Sequence, residues 1–271
     1  MLRLKRLAMN VVIGLGAALL LVVVAIRLLE NRLIFFPPRY PEGFEPPGNY
    51  GLKPEEVWIT VSDRVKINAW FFPNSSSAKV LLCFHGNAEN IGYGLPRMKT
   101  LSRLGTNLLA VDYRGYGRSE GSPDEPGVYR DAEAAYQYLL RTRGFGPKDI
   151  IIYGQSLGGA VATDLASKRE CGGLIVESSF TSGRDMARRM FLIPLLEYAP
   201  KSRFDSISKI THVRAPVLII HGSQDELIPF SMAESLYKAA PDPKRFLPVA
   251  GAGHNDVFQV GGEHYLAALK D

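Results

Sequence analysis

Ser156 stands in Gly154-Gln155-Ser156-Leu157-Gly158, a G-x-S-x-G pattern. An apolar, β-rich run (Ile150–Tyr153) leads into it, and a run of small and apolar residues follows that reads as a helix. In that strand–turn–helix setting a serine is held at a sharp, strained turn with its hydroxyl exposed. A side chain at 154 or 158 would crowd the adjoining strand and helix, so the turn itself demands glycine there. A helix beginning at the serine aims free N–H groups and the positive end of its dipole at any oxyanion forming beside it. The chemistry implied is nucleophilic attack by a hydroxyl, which needs a base, an orienting acid and an oxyanion hole.

The acid is expected at the C-terminal end of a strand, on the side the serine faces. The stretch PVLIIHGSQDELIP offers Asp225, four residues after His221, with Glu226 as the second choice. Of the five histidines, His254 stands in the glycine loop Gly251-Ala252-Gly253-His254-Asn255-Asp256, between the last strand and the last helix. A flexible loop there lets an imidazole reach the strand ends, and His254 completes the order Ser…Asp…His that goes with this type of turn. His85 precedes a glycine at another strand end and is read as bracing its loop. His212 has no acid nearby, His221 ends an apolar strand, and His264 falls inside the last helix. The oxyanion hole is expected to use the N–H of Leu157 and a second N–H from the loop His85-Gly86-Asn87-Ala88-Glu89-Asn90. Asn87 is preferred, with Ala88 the near alternative. Arg114, in Asp112-Tyr113-Arg114-Gly115-Tyr116-Gly117, either binds a substrate anion or pairs with an acid to fix its own loop. The sequence has no G-x-x-x-x-G-K-[ST] phosphate loop and no clustered metal ligands, so no cofactor and no metal are expected.

The elements that must position these residues read as alternating strands and helices. VWITV and VKINAWFF pair across Ser62-Asp63-Arg64, and AKVLLCFHG has the apolar density of a strand buried on both faces. Strands follow at 107–112, 149–153, 173–177, 216–221 and 245–249, and helices at 125–143, 157–168, 231–239 and 257–269. This alternation predicts an α/β fold, a mostly parallel sheet with helices on both faces and an antiparallel leading hairpin. The interval Phe180–His212 breaks the rhythm with RRMFLIPLLEYAP. It is read as a short helical cap over the serine, at about 181–212, rather than only a long crossover.

Residues 1–36 read as an N-terminal membrane anchor. Three basic residues precede Leu7–Leu29, in which only Asn10 and Arg27 interrupt the apolar run. That length spans a bilayer's hydrocarbon core at about 1.5 Å per residue. A cleaved signal peptide and a peripheral helix are the competing readings; the run is long for the former, and no A-x-A site follows it. The basic N-terminal flank places the N-terminus in the cytoplasm and the remaining chain outside it. Residues 37–54 are a Pro/Gly-rich linker or wrapping arm, and residues 55–271 form the catalytic domain. The net charge of +5 belongs to the N-terminus: residues 1–40 carry six bases and one acid, and the rest of the chain carries 26 of each. The main domain therefore has no electrostatic footprint for nucleic acid. The two cysteines, Cys83 and Cys171, form no C-x-x-C pattern, and Cys83 reads as a core residue.

Taken together, GQSLGG, HGNAEN, DYRGYGRSEG, HGSQDELIP and GAGHND occur in one order across about residues 55–270. The chain resembles the α/β-hydrolase superfamily. Within it, the set is similar to a membrane-anchored branch that includes the mammalian α/β-hydrolase domain-containing proteins 13 and 17 and their yeast counterparts. The resemblance implies an α/β-hydrolase fold with Ser156 as nucleophile, Asp225 as acid and His254 as base. The cysteine-rich N-terminus of the 17 type is absent, since no cysteine precedes Cys83, and the apolar anchor is closer to the 13 type. The expected activity is cleavage of carboxylic esters or thioesters, on small-molecule or lipid-like acyl substrates. The alternatives are a serine peptidase or amidase of the same fold, and a non-catalytic membrane-tethered interaction protein.

Overall fold

A computed structural model describes residues 2–40, 47–190 and 194–270. Eight strands form one sheet: β1 (Glu55–Thr60), β2 (Lys66–Phe72), β3 (Val80–Phe84), β4 (Asn107–Val111), β5 (Ile150–Gln155), β6 (Gly173–Glu177), β7 (Val217–Gly222) and β8 (Lys244–Val249). Their spatial order is β1-β2-β4-β3-β5-β6-β7-β8. β1 and β2 pair antiparallel, β2 joins β4 antiparallel, and every later pairing is parallel. The leading hairpin is thus the antiparallel edge expected of it, and the strand limits lie within about two residues of those read from periodicity.

Burial on both faces explains why β3 and β4 are apolar without alternation: all five residues of each are buried. Leu82 and Phe84 join a core shared with α3 (Glu125–Arg141) and α4 (Leu157–Lys168). Leu81 and Cys83 join the opposite core with α2 (Leu95–Ser102) and α8 (Val257–Lys270). Cys83 and Cys171 are both free and buried. α2 was not foreseen, because LPRMKTLS is too short and too polar to show a helical period.

β3 is flanked by β4 on one side and β5 on the other, so chain order reverses about it. In an open parallel sheet such a reversal opens a crevice beyond the C-terminal strand ends, and β5 delivers Ser156 into it. After β6 the chain forms α5 (Gly183–Met190), a 3-10 turn at Pro194–Tyr198 and α6 (Ser206–Ile210). α5 borders the crevice through Met186 and Ala187, whereas α6, the last part of the expected cap, packs on α4 and on α7 (Phe230–Ala239) instead. Residues 191–193 of the expected cap and 41–46 of the expected linker lie outside the described residues.

The rest of the 37–54 stretch wraps the domain. Arg39 donates to the carbonyls of Gly117 and Ser119, and Gly117 N–H donates to Pro38 O. At the N-terminus, α1 (Leu2–Ile34) is one continuous helix, and Lys5–Ile34 is long and apolar enough to cross a membrane. Most of its apolar side chains are exposed, Leu15, Leu20 and Leu21 among them. Its last turns are different. Ile26 packs on Leu196 and Ala199, and Phe35, just beyond the helix, is 2% exposed and meets Phe204 edge-on at 6.0 Å.

Candidate active site

Ser156 adopts φ +55°, ψ −118°, a conformation that costs a non-glycine residue of order 1–3 kcal/mol. Three contacts hold it there. Ser156 N–H donates to Glu177 O at 2.9 Å, and Ser156 O accepts from Gly159 N–H at 2.9 Å and from the Ser179 hydroxyl at 2.8 Å. Glycine is a steric necessity on both sides of the turn. A Cβ on Gly154 would sit 2.0 Å from Gly158 O, and one on Gly158 would sit 2.1 Å from Phe84 O. Glu177, whose carbonyl fixes the serine, is itself buried. Its carboxylate accepts from the hydroxyls of Tyr153 at 2.9 Å and Tyr265 at 2.6 Å. Burial first, and this carboxylate second, push both phenols well above their ordinary pKa, so they remain donors.

The three residues expected to act together are brought together. The Ser156 hydroxyl lies 3.1 Å from His254 Nε2, and His254 Nδ1 lies 2.8 Å from Asp225 Oδ2. An ionised carboxylate only accepts, so the proton on the imidazole is assigned to Nδ1, leaving Nε2 to accept from the serine. The Asp225 side chain is fully buried. Its Oδ1 accepts from the N–H groups of Leu227 at 2.9 Å and Ile228 at 2.8 Å. Burial works against its ionisation. The hydrogen bonds from His254 and Ile228 and the nearby imidazoles more than offset that, so its pKa falls below the usual carboxylate value. Glu226, the second-choice acid, is exposed.

His221 supports this acid from behind. It is buried, donates from Nε2 to Ile228 O at 2.9 Å, and stands 3.3 Å from Asp225 Oδ2. Burial lowers its pKa, which keeps it neutral. Sequence reasoning set this histidine aside as a strand end; only its position four residues before Asp225 pointed to it.

The first residue of α4 is Leu157, so its N–H has no carbonyl partner within the helix. The facing loop comes close because Gly86 lacks a side chain: a Cβ there would meet Gln155 Oε1 at 2.4 Å and Ser156 Cβ at 3.3 Å. Asn87 follows, bordering the serine on both sides of the crevice. Its side chain is engaged elsewhere. Oδ1 accepts from Tyr116 OH at 2.7 Å and Phe36 N–H at 3.1 Å, and Nδ2 donates to Ile34 O at 2.6 Å. His85 braces the same loop, contacting Gly86 O at 2.8 Å and Asp112 at 3.3 Å. Arg114 faces away from the crevice chemically: its guanidinium is paired with Asp131 and Asp63 at 2.8 Å each.

Two cavities meet at Ser156 and His254. One, of about 480 Å³, is bordered by Glu89, Gln155, Asn255 and Gln259. The other, of about 530 Å³, is apolar. Phe180, Met186 and Phe204 form one side, and Ile26, Leu33 and Ile34 of α1 the other. The participation of α1 is what sequence reasoning missed. The signal available was Glu30, a lone acid near the end of an otherwise apolar helix.

A family model described as serine aminopeptidase S33 matches residues 75–207. An uncharacterized protein of Mycobacterium tuberculosis is 35% identical over 246 residues, covering 89% of this chain and 86% of that protein. The human α/β-hydrolase domain-containing protein 17C is 41% identical over 200 residues, covering 72% of this chain and 58% of that protein. Among solved structures, an esterase of Pyrococcus furiosus superposes with a TM-score of 0.72 at 22% identity, over 86% of this chain and 96% of that one.

Proposed function

The chain belongs to the α/β-hydrolase family, and from that premise we propose that it is a membrane-anchored serine hydrolase cleaving carboxylic esters or thioesters, with Ser156 as nucleophile, His254 as base and Asp225 as orienting acid. The observation that carries this reading is the unbroken hydrogen-bond chain from the Ser156 hydroxyl through His254 to Asp225.

In this mechanism His254 Nε2 takes the Ser156 proton as Oγ bonds to the substrate carbonyl carbon. The N–H groups of Leu157 and Asn87 hold the resulting oxyanion, and Asp225 stabilises the imidazolium. As the C–O or C–S bond breaks, the imidazolium returns its proton to the leaving alkoxide or thiolate. Water then gives a proton to His254, attacks the acyl-enzyme and releases the acid, and the proton returns to Ser156 Oγ. Residues 1–36 act as an uncleaved anchor, and residues 55–271 as the catalytic domain with a short cap at about 181–212. The basic N-terminal flank favours a cytoplasmic N-terminus and an extracytoplasmic catalytic domain.

Amide cleavage is the second reading, raised by the description of the matching family model. A panel of p-nitrophenyl esters against aminoacyl anilides separates the two. For the ester reading the apolar cavity at Ser156 is the supporting feature. The central test is labelling by a fluorophosphonate probe. The wild-type chain is expected to label and Ser156→Ala to lose the label, whereas undiminished labelling of Ser156→Ala overturns the assignment.

A further inference from the structure

The apolar cavity beside Ser156 is built from two parts of the chain that are distant in sequence. Ile26, Leu33 and Ile34 of α1, with Phe36 just after it, form one side. Ile26 and Ile34 are eight residues apart, about 12 Å along a helix, so this side is a strip running parallel to α1. Both ends of the strip are fixed. At the Ser156 end, the Asn87 side chain holds Ile34 O and Phe36 N–H. At the far end, Arg27 Nε donates to Ala199 O at 3.0 Å. The buried Glu30 carboxylate accepts from Lys201 N–H at 2.6 Å and the Ser202 hydroxyl at 3.0 Å. The strip also stays open: Leu33 is 52% and Phe36 55% exposed. Beyond Ile26 the same helix continues towards its N-terminus as an exposed apolar surface long enough to cross a membrane.

We infer that α1 is a wall of the acyl-binding site as well as a tether, and that the substrate is a long-chain lipid ester drawn from the bilayer along this helix. The inference rests on the reading that Ser156 is the nucleophile and that α1 spans the membrane. An acyl chain is the occupant the groove suits. The strip is apolar along its length, and its one carboxylate, Glu30, is already satisfied by Lys201 and Ser202. A chain moving from lipid along α1 exchanges one apolar surface for another and is not exposed to water on the way. A short acyl group would leave Leu33 uncovered, so for a substrate taken from water each further methylene that reaches the groove strengthens binding roughly fourfold.

The test uses the full-length chain in detergent micelles, with p-nitrophenyl butyrate and p-nitrophenyl laurate as probes. Wild-type kcat/KM is expected to be at least about tenfold higher for laurate, because several more methylenes are buried. Leu33→Trp fills the groove from a half-exposed position that tolerates bulk, and is expected to lower the laurate-to-butyrate ratio at least about tenfold. Phe36→Asp is a second variant with the same expected direction. Leu20→Trp, on the exposed surface of α1 away from the groove, keeps the wild-type ratio. Fluorophosphonate labelling of each variant reports whether its site is folded. A wild-type ratio in labelled Leu33→Trp and Phe36→Asp overturns the inference alone, as does equal wild-type turnover of the two esters. If the wild-type chain hydrolyses neither ester and Ser156 takes no label, the reading of the nucleophile fails first and the inference falls with it.

Discussion

Asp225 works through two different sets of bonds on its two oxygens. Oδ1 is held by the Leu227 and Ile228 N–H groups, and Oδ2 faces His254 with His221 behind it. Asp225→Asn keeps the first set, because an amide oxygen still accepts. It alters the second, because an amide N–H beside Nδ1 favours the tautomer with its proton on Nε2, which cannot accept from Ser156. The expected outcome is a fall in kcat of about 10⁴-fold with the fold retained, the size of effect the wrong tautomer produces in such a triad. Steady-state ester hydrolysis with circular dichroism checks it, and a loss under about tenfold would count against the role assigned to the charge. Since the Asp225 pKa is depressed, its ionised form contributes stability at neutral pH. That contribution is complete above the ordinary carboxylate value of about 3.9 and fades as pH falls through the lower folded value. His221 is lowered as well. Stability therefore declines as pH drops below the ordinary histidine value of about 6.5, where the unfolded chain gains a proton that the buried ring resists.

At the scale of elements, the turn between β5 and α4 is a tight feature of the fold and the most legible one. Its demands are local: Gly154 and Gly158 are needed because backbone atoms occupy the space a Cβ would take. Such needs are written in residue types at fixed spacing. Gly158→Ala brings a methyl against the Phe84 carbonyl at the end of β3, where the neighbour is backbone and cannot rotate aside. The expected cost is about 2–3 kcal/mol, or a Tm lower by roughly 5–10 °C for a chain of this size. Calorimetry reads it directly, and a Tm within about 2 °C of wild type would show that β3 and α4 separate easily. The placement of Asp225 and His254 was legible for a related reason, since each follows a clear parallel strand. By contrast, α2 has too few apolar residues to reveal a period, and the place of Asn87 beside α1 depends on contacts some 50 residues apart, which no local pattern records.

Across the whole molecule, α1 and the segment 199–204 are joined through Glu30. Lys201 N–H and the Ser202 hydroxyl both end on its buried carboxylate. Glu30→Ala removes the charged acceptor of the Lys201 N–H and of the buried Ser202 hydroxyl, a change worth about 1–3 kcal/mol. The effect should be regional, because the sheet and its two cores make no use of this bond. Hydrogen exchange followed by mass spectrometry is expected to show residues 199–204 exchanging roughly 5- to 100-fold faster, with β3, β5 and β6 unchanged. Unaltered exchange at 199–204 would mean that Ile26 and Arg27 hold this segment without Glu30. Sequence patterning marked Arg27 as an interruption of the apolar run, but no local pattern records that it and Glu30 meet residues some 170 positions away.

Phe35 lies one residue beyond the end of α1 and is buried among core side chains, with Phe204 against its ring. This has a practical consequence for protein production. Removing residues 1–36 to obtain a detergent-free enzyme would take a core side chain with it, as well as two of the three partners of the Asn87 side chain. The remaining fragment would carry an apolar hollow where Phe35 had been, prone to self-association. A substrate screen on it would favour small water-soluble esters, whatever the intact enzyme prefers. A shorter deletion, ending before Leu19, keeps the packed portion of the helix and is the form on which such a screen would be informative.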